Sequence, residues 1–142
     1  MHKNNLKFNF CGINWNLDLC DKITILDCNS SAGKTMMMNS LEELAVLPEF
    51  SYIKVFKYRT VHLLSELNRC RDSLIFIDNG ELLLTPEVNN AIFFDTTNQF
   101  VISTRNLKGL EVSLYDFKKL IYEKESHTFR LEDAYAEILP VD

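Results

Sequence analysis

Gly33-Lys34-Thr35 is the triplet in this chain best suited to chemistry. It closes the stretch Asp27-Cys28-Asn29-Ser30-Ser31-Ala32-Gly33-Lys34-Thr35, directly after the apolar run Ile23-Thr24-Ile25-Leu26. The pattern G-x-x-x-x-G-K-[ST] cradles phosphate when it joins a strand to a helix, and only its first glycine is replaced here, by Cys28. The contacts expected with a nucleotide run from Asn29, Ser30, Ser31 and Ala32 through Gly33, Lys34 and Thr35 to Met36. Inward-pointing N–H groups and the positive end of the following helix would surround the β-phosphate. Lys34 would reach β- and γ-phosphate oxygens, and the Thr35 hydroxyl would coordinate Mg²⁺. Gly33 lets the backbone approach phosphate with no Cβ in the way. Cys28 at the first glycine position costs about 1–3 kcal/mol if its backbone must leave the ordinary regions.

Two further groups stand at matching distances. Asp78 closes the apolar run Leu74-Ile75-Phe76-Ile77, and a carboxylate in that place can hold Mg²⁺. Ser103 and Thr104 close Phe100-Val101-Ile102. Glu81 lies three residues past Asp78, beyond Asn79 and Gly80, and Arg105 follows Thr104.

The elements that must position these groups follow from periodicity. Leu6, Phe8 and Phe10 alternate with polar residues, as do Ile13, Trp15, Leu17 and Leu19, around Cys11-Gly12. That is a β-hairpin with one buried face, to which the aromatic rings belong. Residues 22–27 form a strand buried on both faces. A helix is expected from Lys34 to Leu47, ended by Pro48, with Leu41, Leu44 and Ala45 on one side and Met37 and Met38 a turn earlier. A strand over 51–58 precedes a helix that Thr60 caps and that runs to Arg71. Strands at 74–77 and 99–103 enclose a helix opening at Pro86. Residues 119–124 and 128–132 are candidates for a second hairpin around Glu125-Ser126-His127. Strands alternating with helices from 22 to 103 predict an α/β fold with a mostly parallel sheet.

On these motifs the chain resembles the P-loop NTPases. More narrowly it resembles the branch with an extra strand between the Walker A and Walker B strands, which includes the AAA+ and related ATPases. The resemblance covers residues 22–106. It implies a three-layer sheet flanked by helices, with the N-terminal hairpin (1–20) and a C-terminal extension (107–142) attached to one domain. It implies ATP or GTP with Mg²⁺, Asp78 as the Walker B carboxylate, Ser103 as the residue that senses the γ-phosphate, and the sensor strand between the other two. Arg105 is either an arginine finger or a solvent-facing side chain, the second being favoured. The branch carries Glu after the Walker B Asp to polarise water, whereas Asn79 stands here and Glu81 lies two residues on. That departure, with Cys28, implies weak or partner-dependent hydrolysis.

Three functions compete on this basis. The first is an NTP-binding protein with slow turnover. The second is a non-enzymatic adaptor or inhibitor, of the compact kind that phages and mobile elements encode, keeping the nucleotide as a structural or switching ligand. The third, a small-molecule kinase, ranks lowest, because the strand from Tyr52 to Tyr58 offers Lys54 and Lys57 but no carboxylate. No guanine-reading N/T-K-x-D stretch is present, which favours adenine nucleotides.

Bulk properties set the frame. The 142 residues suit one domain, and 46% hydrophobic content supports a real core. A net charge of −5 argues against a broad nucleic-acid footprint, though it leaves room for a local basic patch. No run of apolar residues is long enough to span a membrane, and no signal-peptide pattern opens the chain. Cysteines at 11, 20, 28 and 70 match no C-x-x-C spacing and read as reduced thiols of a cytoplasmic protein. Histidines 2, 62 and 127 form no ligand cluster. Met36, Met37 and Met38 read as helix core and edge rather than a soft-metal surface.

Overall fold

A computed structural model describes residues 5–19, 22–27, 33–57, 62–78, 83–104 and 116–133. In chain order the elements are β1 (Asn5–Phe10), β2 (Ile13–Asp18), β3 (Ile23–Asp27), α1 (Lys34–Leu44), a 3-10 turn (Pro48–Phe50), β4 (Ile53–Phe56), α2 (Leu63–Arg69), β5 (Leu74–Ile77), α3 (Pro86–Phe94), β6 (Gln99–Thr104), β7 (Asp116–Glu123) and β8 (Thr128–Asp133). All eight strands join one sheet in the order β1-β2-β8-β7-β3-β6-β5-β4.

The fold class expected from sequence is overturned. The chain does not build a three-layer, mostly parallel P-loop NTPase-like sheet flanked by helices. Its eight strands form a mixed sheet that curls into a half-barrel, strand predominates, and only three short helices occur among the described residues. The cause lies in the two hairpins. β1–β2 and β7–β8 are antiparallel pairs, as their alternation requires. They are not appendages, however, because β2 pairs with β8 in parallel, with Trp15 opposite Phe129. β7 then pairs in parallel with β3, with Ile25 opposite Phe117. Half of the sheet is therefore made of hairpin strands.

Local chemistry accounts for the elements. Cys11 and Gly12 both have positive φ, 53° and 80°, which is the two-residue loop that matches the twist of antiparallel strands. β5 is buried throughout, since Phe76 faces the α1 side and Ile75 and Ile77 face α2 and α3. α1 buries Met37, Met38, Leu41 and Leu44 on the first of these faces, a contribution of roughly 1.5–3 kcal/mol each. The methionines at 37 and 38 are core, and Met36 stands exposed at the edge. α1 stops at Leu44, three residues before the end expected from Pro48, which instead opens the 3-10 turn. α2 begins at Leu63 after His62 at φ 68°, without a side-chain cap; the cap expected at Thr60 lies outside the described residues.

A buried amide pins two connections together. The Asn98 side chain accepts from the Ser73 N–H at 2.9 Å and donates to the Cys70 carbonyl at 3.0 Å and to Asp95 at 2.7 Å. Asp95 in turn accepts from the N–H groups of Thr97 and Asn98. Lys22 donates to the Phe93 carbonyl at 2.9 Å and to that of Asp95, closing the C-terminus of α3 with a cation. Asn98→Ala strips partners from groups that water cannot reach. It is expected to lower stability by about 2–4 kcal/mol in urea unfolding. A loss under about 0.5 kcal/mol would show that the network carries little.

Burial pushes the Cys70 thiol up, so it stays protonated and unreactive at neutral pH. No helix among the described residues is long and apolar enough to cross a membrane.

Candidate functional site

β3, β6 and β5 are mutually parallel neighbours, so their carboxyl ends meet at one rim of the sheet. The register aligns the ends closely. Leu26 lies opposite Ser103, Asp27 opposite Thr104, and Ile77 opposite Ile102. Asp78 therefore follows β5 beside the level of Ser103, and α1 is the next described element after β3 in the chain. β6, which carries Ser103, lies between the strands that end at Asp27 and Ile77. β3 and β5, one strand apart, are separated by about 10 Å at the usual strand spacing. The chain leaves β3 toward β4 on one side and returns through β6 to β7 on the other side.

Gly33 is the N-cap of α1, with φ 91° and ψ −9°, and no side chain caps the helix. Its carbonyl accepts the first helical bond, from Met37 N–H at 2.7 Å. Two constraints hold the residue as glycine. The left-handed backbone disfavours a Cβ, and a Cβ built there would lie 2.4 Å from Cε1 of Phe129 and 3.3 Å from Cδ2 of Leu120. The hairpin β7–β8 thus forms a wall behind the entrance to α1. That wall was invisible in the sequence motif, because Phe129 lies far downstream and carries only the alternation signal of its strand.

The first turn of α1 holds Lys34, half-buried, and Thr35 and Met36, both exposed. No acidic residue offsets the positive end of the helix there. Asp78 is half-buried, and its N–H donates to the Phe56 carbonyl at 2.9 Å. Ser103 and Thr104 are buried. Of the residues singled out from sequence, Asp78 and Ser103 stand at the carboxyl ends of β5 and β6, and Gly33, Lys34, Thr35 and Met36 open α1, where Gly33 lies against the β7–β8 hairpin. Asn29, Ser30, Ser31, Ala32, Glu81 and Arg105 lie outside the described residues, as do Cys28 and Asn79.

The oxygen donors available at this rim suit Mg²⁺. Thr35 offers a hydroxyl and Asp78 a carboxylate, the hard donors that Mg²⁺ takes alongside phosphate oxygens and water. Among the described residues no group of three or more His, Cys, Asp or Glu could hold a metal alone.

A cleft of about 790 Å³ lies elsewhere, along β4 between α1 and α2, and none of these residues lines it. Neither histidine of the described region joins the rim. His62 is exposed, and His127, also exposed, contacts the Tyr122 hydroxyl at 3.1 Å.

Comparison brings no relative to the argument. No protein-family profile, no curated protein and no solved structure matches the chain.

Proposed function

We propose that the chain binds a nucleoside triphosphate, ATP or GTP, together with Mg²⁺, at the N-terminus of α1. The reading rests on a site and not on a fold class. One observation carries it: a left-handed glycine opens a helix at Lys34-Thr35 after β3, and the parallel strands β6 and β5 beside β3 carry Ser103 and Asp78 at their carboxyl ends. Lys34 pairs with β- and γ-phosphate oxygens. The N–H groups of the first helical turn, which have no acceptor within the helix, serve the same anion. Thr35 and Asp78 would hold Mg²⁺, which supplies charge neutralisation to the phosphates when bound. Ser103 would sense the γ-phosphate by hydrogen bonding.

Turnover is slow or depends on a partner protein, because Asn79 follows Asp78 where a water-polarising carboxylate is needed. Glu81 and Arg105 remain the nearest candidates in sequence for base and arginine finger. A cytoplasmic place of action fits the free thiols at Cys11 and Cys70. A non-enzymatic adaptor or inhibitor that keeps the nucleotide as a fixed ligand differs from this reading only in turnover.

Titration with ATP, ADP and GTP, with and without Mg²⁺, tests the proposal. Lys34→Ala is expected to weaken triphosphate binding at least tenfold, about 1.4 kcal/mol, in a variant that urea unfolding shows to be folded. Equal affinity in the variant, or no binding by the wild-type chain, would sink the proposal. Binding without phosphate release under any partner condition selects the adaptor.

A further inference from the structure

We propose that the open edge of β4 is a docking slot for an extended segment of a partner protein whose side chains alternate between apolar and acidic. β4 ends the sheet, and among the described residues no strand covers its outer side. The Leu74 N–H donates to the Tyr52 carbonyl and the Asp78 N–H to the Phe56 carbonyl, both at 2.9 Å. Residues 52, 54 and 56 therefore turn their backbone groups toward β5. Ile53 and Val55, between them, turn theirs outward, offering the alternating donors and acceptors that an added strand needs.

The opposite edge of the sheet is defended. On β1, Asn5, Lys7 and Asn9 are exposed, and the Asn5 and Asn9 amides bond across to Asn16 at 3.0 Å and Asn14 at 2.8 Å. A lysine and side chains tied back to the hairpin blunt an edge. β4 carries one exposed lysine, Lys54, but a cleft of about 790 Å³ runs along it.

The walls of that cleft specify the occupant. Ile53 and Val55 belong to the face covered by α1, where Ala45 and Val46 line the cleft and Val46 is 81% exposed. Glu42 on this wall is already held by Lys57 at 2.6 Å. Lys54 projects to the other face, whose wall is the end of α2. Arg69, Arg71 and Glu66 line it, so with Lys54 three cations stand against one carboxylate. Arg69 is only loosely engaged, 3.6 Å from Glu66. A strand laid on this edge presents alternate side chains to an apolar wall and to a basic one. A second copy of this chain fits poorly. Antiparallel pairing about a two-fold axis keeps the faces aligned, so Lys54 of one copy would meet the basic wall of the other.

The proposal is independent of the nucleotide reading. Its test uses the full chain and a fluorescein-labelled peptide, Thr-Val-Glu-Val-Glu-Val-Thr, followed by anisotropy. Saturable binding is expected, at least tenfold tighter than that of the peptide with Lys in place of Glu, and weakening with salt. Lys54→Glu combined with Arg69→Glu alters exposed side chains only and is expected to reverse the preference. Val55→Pro, which removes an outward N–H, is expected to abolish binding of both peptides. Equal affinity for the two peptides, no saturable binding below about 1 mM, or an unreversed preference in the charge-swapped variant would overturn the proposal. Concentration-dependent dimers in sedimentation that Val55→Pro dissolves would overturn it too, in favour of a second copy on the same edge.

Discussion

Gly33→Ala is expected to lower stability by about 2–6 kcal/mol, a large effect for a single added methyl. Two independent costs meet at the position. The backbone at φ 91° is one that residues with a Cβ rarely adopt, a cost of roughly 1–3 kcal/mol. The new Cβ would also sit 2.4 Å from Cε1 and 2.8 Å from Cζ of Phe129. That ring cannot swing away freely, because it is stacked on Trp15 at 4.4 Å and packed against Tyr122 at 4.7 Å. Overpacking of this kind costs about 1–3 kcal/mol more. Urea unfolding with an unchanged slope is the measurement, since a shifted midpoint alone then reports stability. The same substitution in a Phe129→Leu background separates the terms. There the loss is expected to shrink to the backbone part, and equal losses in both backgrounds would show that the overlap is relieved without cost. Nucleotide binding by Gly33→Ala is expected to fall even where the protein remains folded, since the N-cap turn sets the direction of the helical N–H groups.

Much of the strand content was legible, and the reason is local. Alternation over residues 6–10 and 13–19 shows in any window of the chain, and both β1 and β2 lie there. The continuous apolar run of Leu74 to Ile77 predicts burial on both faces, and all four residues are buried. Partner choice is not local, and there the reading failed. Nothing in residues 13–18 states that Trp15 will lie beside Phe129, yet that parallel pairing draws the hairpins into the main sheet and overturns the expected fold class. β7 shows the same limit. Asp116, Phe117 and Lys118 carry no strand alternation that stands out, and they are ordered as strand by pairing with Thr24, Ile25 and Leu26. The ends of β5 and β6 were legible because strand ends need short-range signals only: an apolar run, then Asp78 or Ser103-Thr104. The wall behind Gly33 was not, because steric need for glycine is written partly in the residue that would clash. The edge of β4 was equally hidden, since only the strand order shows which strand lacks a neighbour.

The junction between hairpins makes the second strong prediction. Trp15 is 1% exposed and lies between two rings, Phe8 at 6.0 Å and Phe129 at 4.4 Å, with interplanar angles of 13° and 10°. It sits opposite Phe8 in the antiparallel ladder and opposite Phe129 in the parallel one. The side chain thus spans the seam between β1–β2 and the rest of the half-barrel. Trp15→Ala is expected to cost about 3–5 kcal/mol and to loosen the N-terminal hairpin first, seen as faster hydrogen exchange in β1 and β2 than in β5 and β6. Uniform acceleration across all strands would mean that the sheet opens as one unit and the seam has no special weakness. Trp15→Phe separates the ring from its polar atom. The indole Nε1 is buried with no hydrogen-bond partner among the described residues, a penalty of roughly 1–3 kcal/mol that phenylalanine does not incur. Phenylalanine also leaves a smaller ring in the same stack, losing part of the packing. The two terms oppose each other, so Trp15→Phe is expected to fall within about 1.5 kcal/mol of wild type, far from the alanine variant. A loss as large as that of alanine would show that the indole N–H finds a partner in solution and that the orphaned donor is not a feature of the folded chain.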